Sequence, residues 1–415
     1  MEGKQVFQGV KVADFSWVGV GPQTARELAE HGATVIRIEY HRYPEILRLS
    51  APFKDSIPGI DRSAFGACYN TNKYGISLDL NKPKGQEVAR RLVKWADIVT
   101  DGMIPGVMKK WGLDYEGCRQ IKPDIIYYST NQQGQHGPHS RHAGYGLQTA
   151  PLTGFSEVTG WADRPPTTIH GAYTDFISPF YLAIALIAAL DHRRRTGKGM
   201  HLEQSQLEAG ISFLGPAILD YAVNGRLATR MGNRDPYAVP HGCYRCLGVD
   251  RWCVITVRTD EEWEALCQAM GEPDWTKHPK FSTFLARKQN EDELDRLVER
   301  WTLDYTPEEV MYILQTAGVP AGVVQNPQDL FEDPQVKHRG HFQVLEHKVI
   351  GAHAYNAPAY KLSKTPARLW KAGPCLGEDN EYVYKEILGY GDEEIADLLA
   401  EGVITTEADV PGAVV

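Results

Sequence analysis

The chain has 415 residues, 42% of them hydrophobic and 23% charged, a composition that excludes a disordered or collagen-like polypeptide and, at about 150 residues per domain, points to two or three domains. Its 44 lysines and arginines against 53 aspartates and glutamates give a net charge of −9, which argues against broad nucleic-acid binding and requires a local basic patch for any anionic ligand. The seven cysteines are scattered, the longest apolar stretch (180–190) is about half a membrane span, and MEGKQVFQGV lacks the apolar core of a signal peptide; a cytoplasmic protein with free thiols, no membrane and no nucleic-acid partner is expected.

GVKVADFS reads as a short strand running into polar residues. PQTARELAEHG is an amphipathic helix with Pro22 in its first turn and Gly32 at its stop. ATVIRIE is the next strand; after an irregular stretch, PKGQEVARRLVKWA predicts a helix, DIVTDG a strand, DYEGCRQIK a shorter helix and DIIYYST a further strand. This alternation predicts an α/β fold with a parallel, doubly wound sheet. Helices are expected to dominate from Phe176 to Leu227. The character changes near residue 230: GCYRCLGVDRWCVITV reads as two strands joined by a tight turn at Gly248 to Asp250, followed by a helix at EEWEALCQAMG and helices from Glu291 to Ala317. A strand-like KVIGAHAYNAPAYKLS and a helix pair in GEDNEYVYKEILGYGDEEIADLLAEGVI close the chain.

Three local motifs invite chemistry. Cys243 and Cys246 form a CxxC beside His241, but no second pair follows at finger spacing, so the strand reading is preferred and no metal is expected. His136, His139 and His142 fall in a Gly/Pro-rich loop and read as solvated. Gly19, Gly21 and Glu39 imitate a dinucleotide-binding fingerprint, which leaves an NAD-dependent oxidoreductase as one reading; Thr24 stands where the third glycine belongs, and Pro22 removes an amide. A plain strand–turn–helix crossover explains the same residues.

Four blocks carry a wider resemblance: VKVADFSWVGVGPQTARELAEHGATVIRIE, the stretch from Asn70 to Glu116, GAYTDFISPFYLAIALIAALDHRRRTGKGMHLEQSQLEA, and NRDPYAVPHGCYRC. In this order, over nearly the whole chain, they resemble the class III CoA-transferases, which include formyl-CoA transferase and carnitine CoA-transferase. Within that family the opening and middle blocks look most like benzylsuccinate CoA-transferase subunits. The resemblance implies a large Rossmann-like, CoA-binding domain over 1–225, a small α/β domain over 226–330, and a C-terminal part, 331–415, returning to the large domain. It also implies an interlaced homodimer, or a heterodimer or heterotetramer with a paralogous subunit. It implies no permanently bound cofactor, with coenzyme A arriving as acyl-CoA and a carboxylic acid as the second substrate.

Asp175, in HGAYTDF, matches the family's catalytic aspartate. A carboxylate before an apolar helix is favoured by the helix dipole, although an N-cap role explains the same residue. As nucleophile, Asp175 would attack the donor thioester, form a mixed anhydride, and pass through an aspartyl-CoA thioester before the acceptor acid collects CoA. The resemblance further implies CoA contacts from Asn72, Lys73, Met103 and Lys110. Lys109 is adjacent to Lys110 and can substitute for it. Tyr40 stands where formyl-CoA transferase has an arginine, and is free to stack on adenine. Trp17, Gly19 and Tyr145 are expected in the substrate pocket, with oxyanion donors near Gly19 and Gly242. Trp17 and Gly19 replace a histidine and a glutamine of formyl-CoA transferase, and NRDPYAVPHG replaces its glycine-rich loop. A mid-sized acid such as benzylsuccinate, with succinyl-CoA as donor, is therefore expected rather than oxalate or formate. Two rivals share the fold: an α-methylacyl-CoA racemase, whose histidine motif is imperfect here at Arg141 and His142, and a non-catalytic subunit of a heteromeric transferase.

Overall fold

Val12, Ala13 and Asp14 are wholly buried, and with Lys11 they form β1 (Lys11–Asp14), a strand with neighbours on both sides. The structure, a computed structural model, describes residues 4–169 and 171–409. With β2 (Thr34–Glu39), β3 (Tyr74–Ser77), β4 (Ile98–Asp101), β5 (Ile126–Asn131) and β6 (Met200–Ser205), β1 makes a six-stranded sheet in the order β3-β2-β1-β4-β5-β6. Every pairing is parallel. The near-continuous apolar runs of the inner strands are what a sheet covered on both faces demands. One face buries Ile36, Ile38, Val99 and Tyr127 with Val88 and Leu92 of the helix Pro83–Trp95. The other buries Val12, Val35 and Ile98 with Ala25 and Leu28 of α1 (Val20–Glu30) and with Leu182 and Leu186. Strand order reverses between β1 and β4, so a crevice opens at their carboxyl ends, where such sheets bind ligands.

Two strands of this sheet escaped the sequence reading. β3 is four residues long and contains Gly75, whose missing Cβ admits Pro374, with ring carbons 2.8 Å from where that Cβ would stand. β6 lies within the region expected to be helical; it is an edge strand whose exposed side chains alternate with half-buried ones, and it lacks an apolar run. The helix before it, Tyr173–Thr196, is long and apolar enough by length and composition to cross a bilayer, more than the half span expected. Its Leu182, Leu186 and Ala189 are buried in this domain, whereas Phe180, Ile184 and Ile187 are exposed.

The chain divides into two compact units. Among the described residues, the first combines 4–155, 168–223 and 337–409, with residue 170 left aside. The second comprises Ser156–Thr167 and Asn224–Val336. In it β7 (His241–Arg245), β8 (Trp252–Thr256) and β9 (Ala321–Val323) form an antiparallel sheet packed on the helices Asp260–Ala269, Glu291–Thr302 and Pro307–Thr316. Capping boxes at Thr259/Glu262 and Thr306/Glu309 start two of those helices. Back in the first unit, the hairpin β10 (Phe342–His347) and β11 (Gly351–Asn356) precedes a segment fastened to β3. Asp379 accepts the Gly75 amide at 2.7 Å, and Asn380 accepts that of Ser77 at 2.9 Å.

Asn72 and Lys73, expected at the CoA, are both buried, and their side chains bond other parts of the chain. Asn72, with φ +61°, accepts the amides of Trp370 and Lys371 and so clamps the returning C-terminal segment. Lys73 is wholly buried; its ammonium bonds Asp14 at 2.8 Å, the Pro22 carbonyl at 2.8 Å and Asn70 at 2.9 Å. Arg37, level with Asp14 on β2, joins the cluster through the Ser16 carbonyl at 2.8 Å and Glu45 at 2.7 Å. Burial alone would raise the Asp14 carboxyl, but Lys73 and Arg37 outweigh it and hold its pKa at about 2. Lys73→Ala would leave a buried carboxylate short of a partner. We expect a loss of about 3–5 kcal/mol in urea unfolding, against less than about 0.5 kcal/mol for the exposed Lys110→Ala. Equal effects would show that the cluster does not hold the fold.

Candidate active site

The turn after β1 is shaped by contacts that only glycine permits. A Cβ on Gly21 would lie 2.2 Å from the Ser16 Cβ, and one on Gly102, just after β4, would lie 3.1 Å from the Trp17 nitrogen. Tyr128 donates its hydroxyl to the Gly21 carbonyl at 2.8 Å. Asp101, its carboxyl pushed up to about 6 by burial, accepts the Met103 amide at 2.8 Å and the Tyr127 hydroxyl at 3.0 Å, which sets the second turn. These two turns, the end of β5 and the loop Ser140–Gly146 enclose a cavity of about 410 Å³ at the switch point of the sheet.

Asp175 forms part of the cavity wall, in the first turn of the helix Tyr173–Thr196. The N-cap position belongs to Ala172, so capping does not account for the aspartate. The side chain is 7% exposed and lies between two glycines. A Cβ on Gly19 would stand 2.9 Å from the Asp175 Cβ, and one on Gly146 would stand 2.7 Å from its Cγ. Gln23 ties down the Asp175 carbonyl at 3.1 Å. Thr174 donates to the Gln206 amide oxygen at 3.4 Å, leaving the Gln206 nitrogen for the carboxyl. Burial is the largest influence on that carboxyl and raises its pKa from 3.8 to about 7; the Gly146 amide and Gln206 oppose the rise. Among the described residues no lysine or arginine lines the cavity. The first amides of α1, at Val20 and Gly21, have no carbonyl partner within the helix, and both residues line the cavity. A buried, partly protonated carboxyl beside such amides suits nucleophilic attack on an acyl carbon, with donors for the oxyanion that forms.

Trp17, Gly19, Met103 and Tyr145 line this cavity together with Asp175. A second, more apolar cavity of about 280 Å³ shares Trp17, Met103 and Val107 and holds Tyr40, whose hydroxyl donates to the Gly402 carbonyl at 2.9 Å. Lys109 and Lys110 are exposed on the short helix Val107–Lys110. Gly242 is not in the cavity lining; it sits on β7 of the other unit, where a Cβ would meet the Tyr244 ring at 2.8 Å. Glu39, the residue a dinucleotide site would turn to the ribose, is buried and ion-paired with Arg48, at 2.7 and 2.8 Å, and with Arg37. His142 lines the cavity 4.4 Å from the His139 ring, and its neighbour Arg141 is exposed. Cys243 and Cys246 are free thiols, both shifted upward by burial.

Gly146 and Gln206 escaped the sequence reading. Gly146 follows Tyr145, and Gln206 lies thirty-one residues after Asp175 in the same block; neither residue type signals chemistry by itself.

A family model described as CoA-transferase family III matches residues 7–380. Over 402 residues the chain is 30% identical to the succinyl-CoA–D-citramalate CoA-transferase of Chloroflexus aurantiacus, covering 95% of this chain and 97% of that one. It is 28% identical over 404 residues to the human succinyl-CoA:glutarate CoA-transferase, covering 97% and 91%. The crystal structure of a CAIB/BAIF family protein from Brucella suis superposes with a TM-score of 0.84 at 29% identity, over 92% of this chain and 99% of the other.

Burial of Asp175 has a consequence for stability. Below about pH 4 the carboxyl is protonated in folded and unfolded chains alike. Between about pH 4 and 7 only the unfolded chain ionises, so stability falls; above 7 the whole penalty, roughly 4 kcal/mol, is present. Asp175→Asn should therefore raise Tm at pH 8, and the gain should shrink towards pH 5. A constant or inverted difference in thermal unfolding would show that burial does not govern this carboxyl.

Proposed function

The chain belongs to CoA-transferase family III, and from that premise we propose that it moves CoA from succinyl-CoA to a mid-sized dicarboxylic acid, with Asp175 as the covalent relay. The observation that carries the proposal is the seating of Asp175 between Gly19 and Gly146, buried yet facing the cavity at the switch point. An Asp175 oxygen attacks the thioester carbonyl; the C–S bond breaks, CoA leaves as thiolate, and a mixed anhydride remains. The thiolate returns to the aspartyl carbonyl and releases the donor acid, leaving an aspartyl-CoA thioester. The acceptor carboxylate then attacks that thioester, giving a second anhydride. The thiolate takes the new acyl group and frees Asp175. No step consumes a proton, which agrees with a site built from a carboxylate, carboxamides and backbone amides.

The adjoining apolar cavity, with Tyr40 and Trp111, has the character an adenine needs, and Lys109 and Lys110 stand on the helix that begins at Val107 in its wall. Two relatives whose names carry succinyl-CoA support that donor. A cavity of about 410 Å³ supports an acceptor as large as benzylsuccinate.

Incubation with succinyl-CoA and then hydroxylamine should convert Asp175 to a hydroxamate visible by peptide mass spectrometry. Asp175→Ala should abolish both adduct and transfer while leaving CoA affinity within about a few-fold. Full transfer by that variant removes the relay.

The acceptor is tested separately. A phenyl ring hiding about 100 Å² adds about 2.5 kcal/mol, so benzylsuccinate should exceed succinate in kcat/KM by nearly two decades, roughly. Equal constants, or a preference for oxalate, remove the acceptor assignment.

A dimer is the assembly that best accounts for exposed apolar rows at Phe180, Ile184 and Ile187 and at Leu219 and Val223, where exposure reaches 78%. Light scattering should give twice the chain mass, falling towards the monomer for Ile184→Glu; a monomeric wild type overturns this.

A further inference from the structure

We propose that Glu45 is a positioning residue for Asp175: it holds Val18 in a left-handed conformation and thereby fixes Gly19 against the aspartate. The inference rests on the relay role of Asp175.

Val18 has φ +68°, a region that β-branched side chains rarely enter and that persists only where the surroundings enforce it. The enforcement comes from below. Glu45 is wholly buried, and its Oε2 accepts the Val18 amide at 2.8 Å while standing 2.7 Å from Arg37 Nη2. Its Oε1 has no hydrogen-bond partner, so the carboxylate turns one oxygen to both tasks. The residues before Val18 are gripped as well: Arg37 takes the Ser16 carbonyl at 2.8 Å, and the Ser16 amide is shared between Asp14 and Thr100, each at 3.2 Å. The peptide from Val18 to Gly19 therefore has little freedom.

What this rigidity serves lies one residue on. Gly19 approaches Asp175 so closely that a Cβ there would fall 2.9 to 3.1 Å from three atoms of the aspartate. A relaxed Val18 would swing Gly19 either into that side chain or away from it, and with Gly19 would go the first amides of α1. Glu45 is not itself in the cavity lining; it reaches that lining through the Val18 amide.

The test uses the intact protein, with kcat and KM for succinyl-CoA read beside Tm. Glu45→Ala should lower kcat by about a hundredfold, the scale of a 1 Å misplacement, with KM within about threefold. Adding Val18→Gly, which makes the left-handed conformation free of strain, should recover kcat at least about tenfold without recovering Tm. Glu45→Gln keeps an acceptor for the Val18 amide and should hold kcat within about threefold even if Tm falls; it decides the matter if the alanine variant does not fold. A kcat unaffected by Glu45→Ala, a loss that Val18→Gly leaves in place, or a loss above tenfold in Glu45→Gln overturns the proposal. Hydroxamate formation at Asp175 in the wild type separates the two ideas, because its absence strikes the relay role whatever the Glu45 variants do.

Discussion

Asp14 ends a strand buried on both faces, and a carboxylate there is tolerable only if cations reach it. Lys73 and Arg37 do so from two different stretches of chain, and each also donates to a backbone carbonyl beyond the strand, Lys73 to that of Pro22 and Arg37 to that of Ser16. The charge cluster thus fixes where the Asn70–Lys73 segment, β2 and the β1–α1 turn meet. Everything that faces the cavity from this side, Trp17 to Gly21, hangs from it. Asn72, in the same tetrapeptide, holds the C-terminal segment. One short motif therefore closes the domain at both ends of the chain.

Asp14 and Asp175 are both buried aspartates, and their surroundings send them opposite ways. Asp14 accepts from two cations and three further donors, the Ser16 amide, the Ser16 hydroxyl and the Thr100 hydroxyl, and is held at about 2, ionised under every ordinary condition. Asp175 has an amide and a carboxamide, and burial takes it to about 7. A carboxylate neutralised by lysine would be a poor nucleophile, because the ion pair would have to be broken as the bond forms. Holding cations away from Asp175 destabilises the folded chain but leaves the lone pairs available. The stability forgone at Asp175 is supplied elsewhere in the same domain.

Much of the fold was legible because the inner strands are short apolar runs and α1 carries its own start and stop at Pro22 and Gly32. β3 and β6 were not, since one is interrupted by a glycine and the other is a half-exposed edge. Asp175 was legible only through the block around it, as its position near a helix start is shared by countless caps. The structural bonds of Asn72 and Lys73 were not legible for a physical reason: a lysine in a ligand-binding protein suggests a phosphate contact, and nothing local reveals that a strand from about sixty residues earlier places Asp14 beside it. Glycines were legible as turns, but not as clearance for a side chain on another element. That clearance depends on tertiary distances such as 2.7 Å between a Cβ at Gly146 and the Asp175 Cγ.

The absence of lysine and arginine from the described lining bears on selectivity as well as on rate. A cation beside Asp175 would attract free acids and hold them as ion pairs, competing with the thioester that must bind first. Amides at the start of α1 carry only partial charge and are oriented, so they favour an oxyanion generated at one point over a carboxylate arriving anywhere. In the proposed arrangement the anionic parts of CoA would be met outside, at the exposed lysines of the Val107–Lys110 helix, and the reacting end would lie among dipoles. Charge outside and dipoles inside is the division that lets an anionic nucleophile, an anionic leaving group and an anionic acceptor share one cavity in turn.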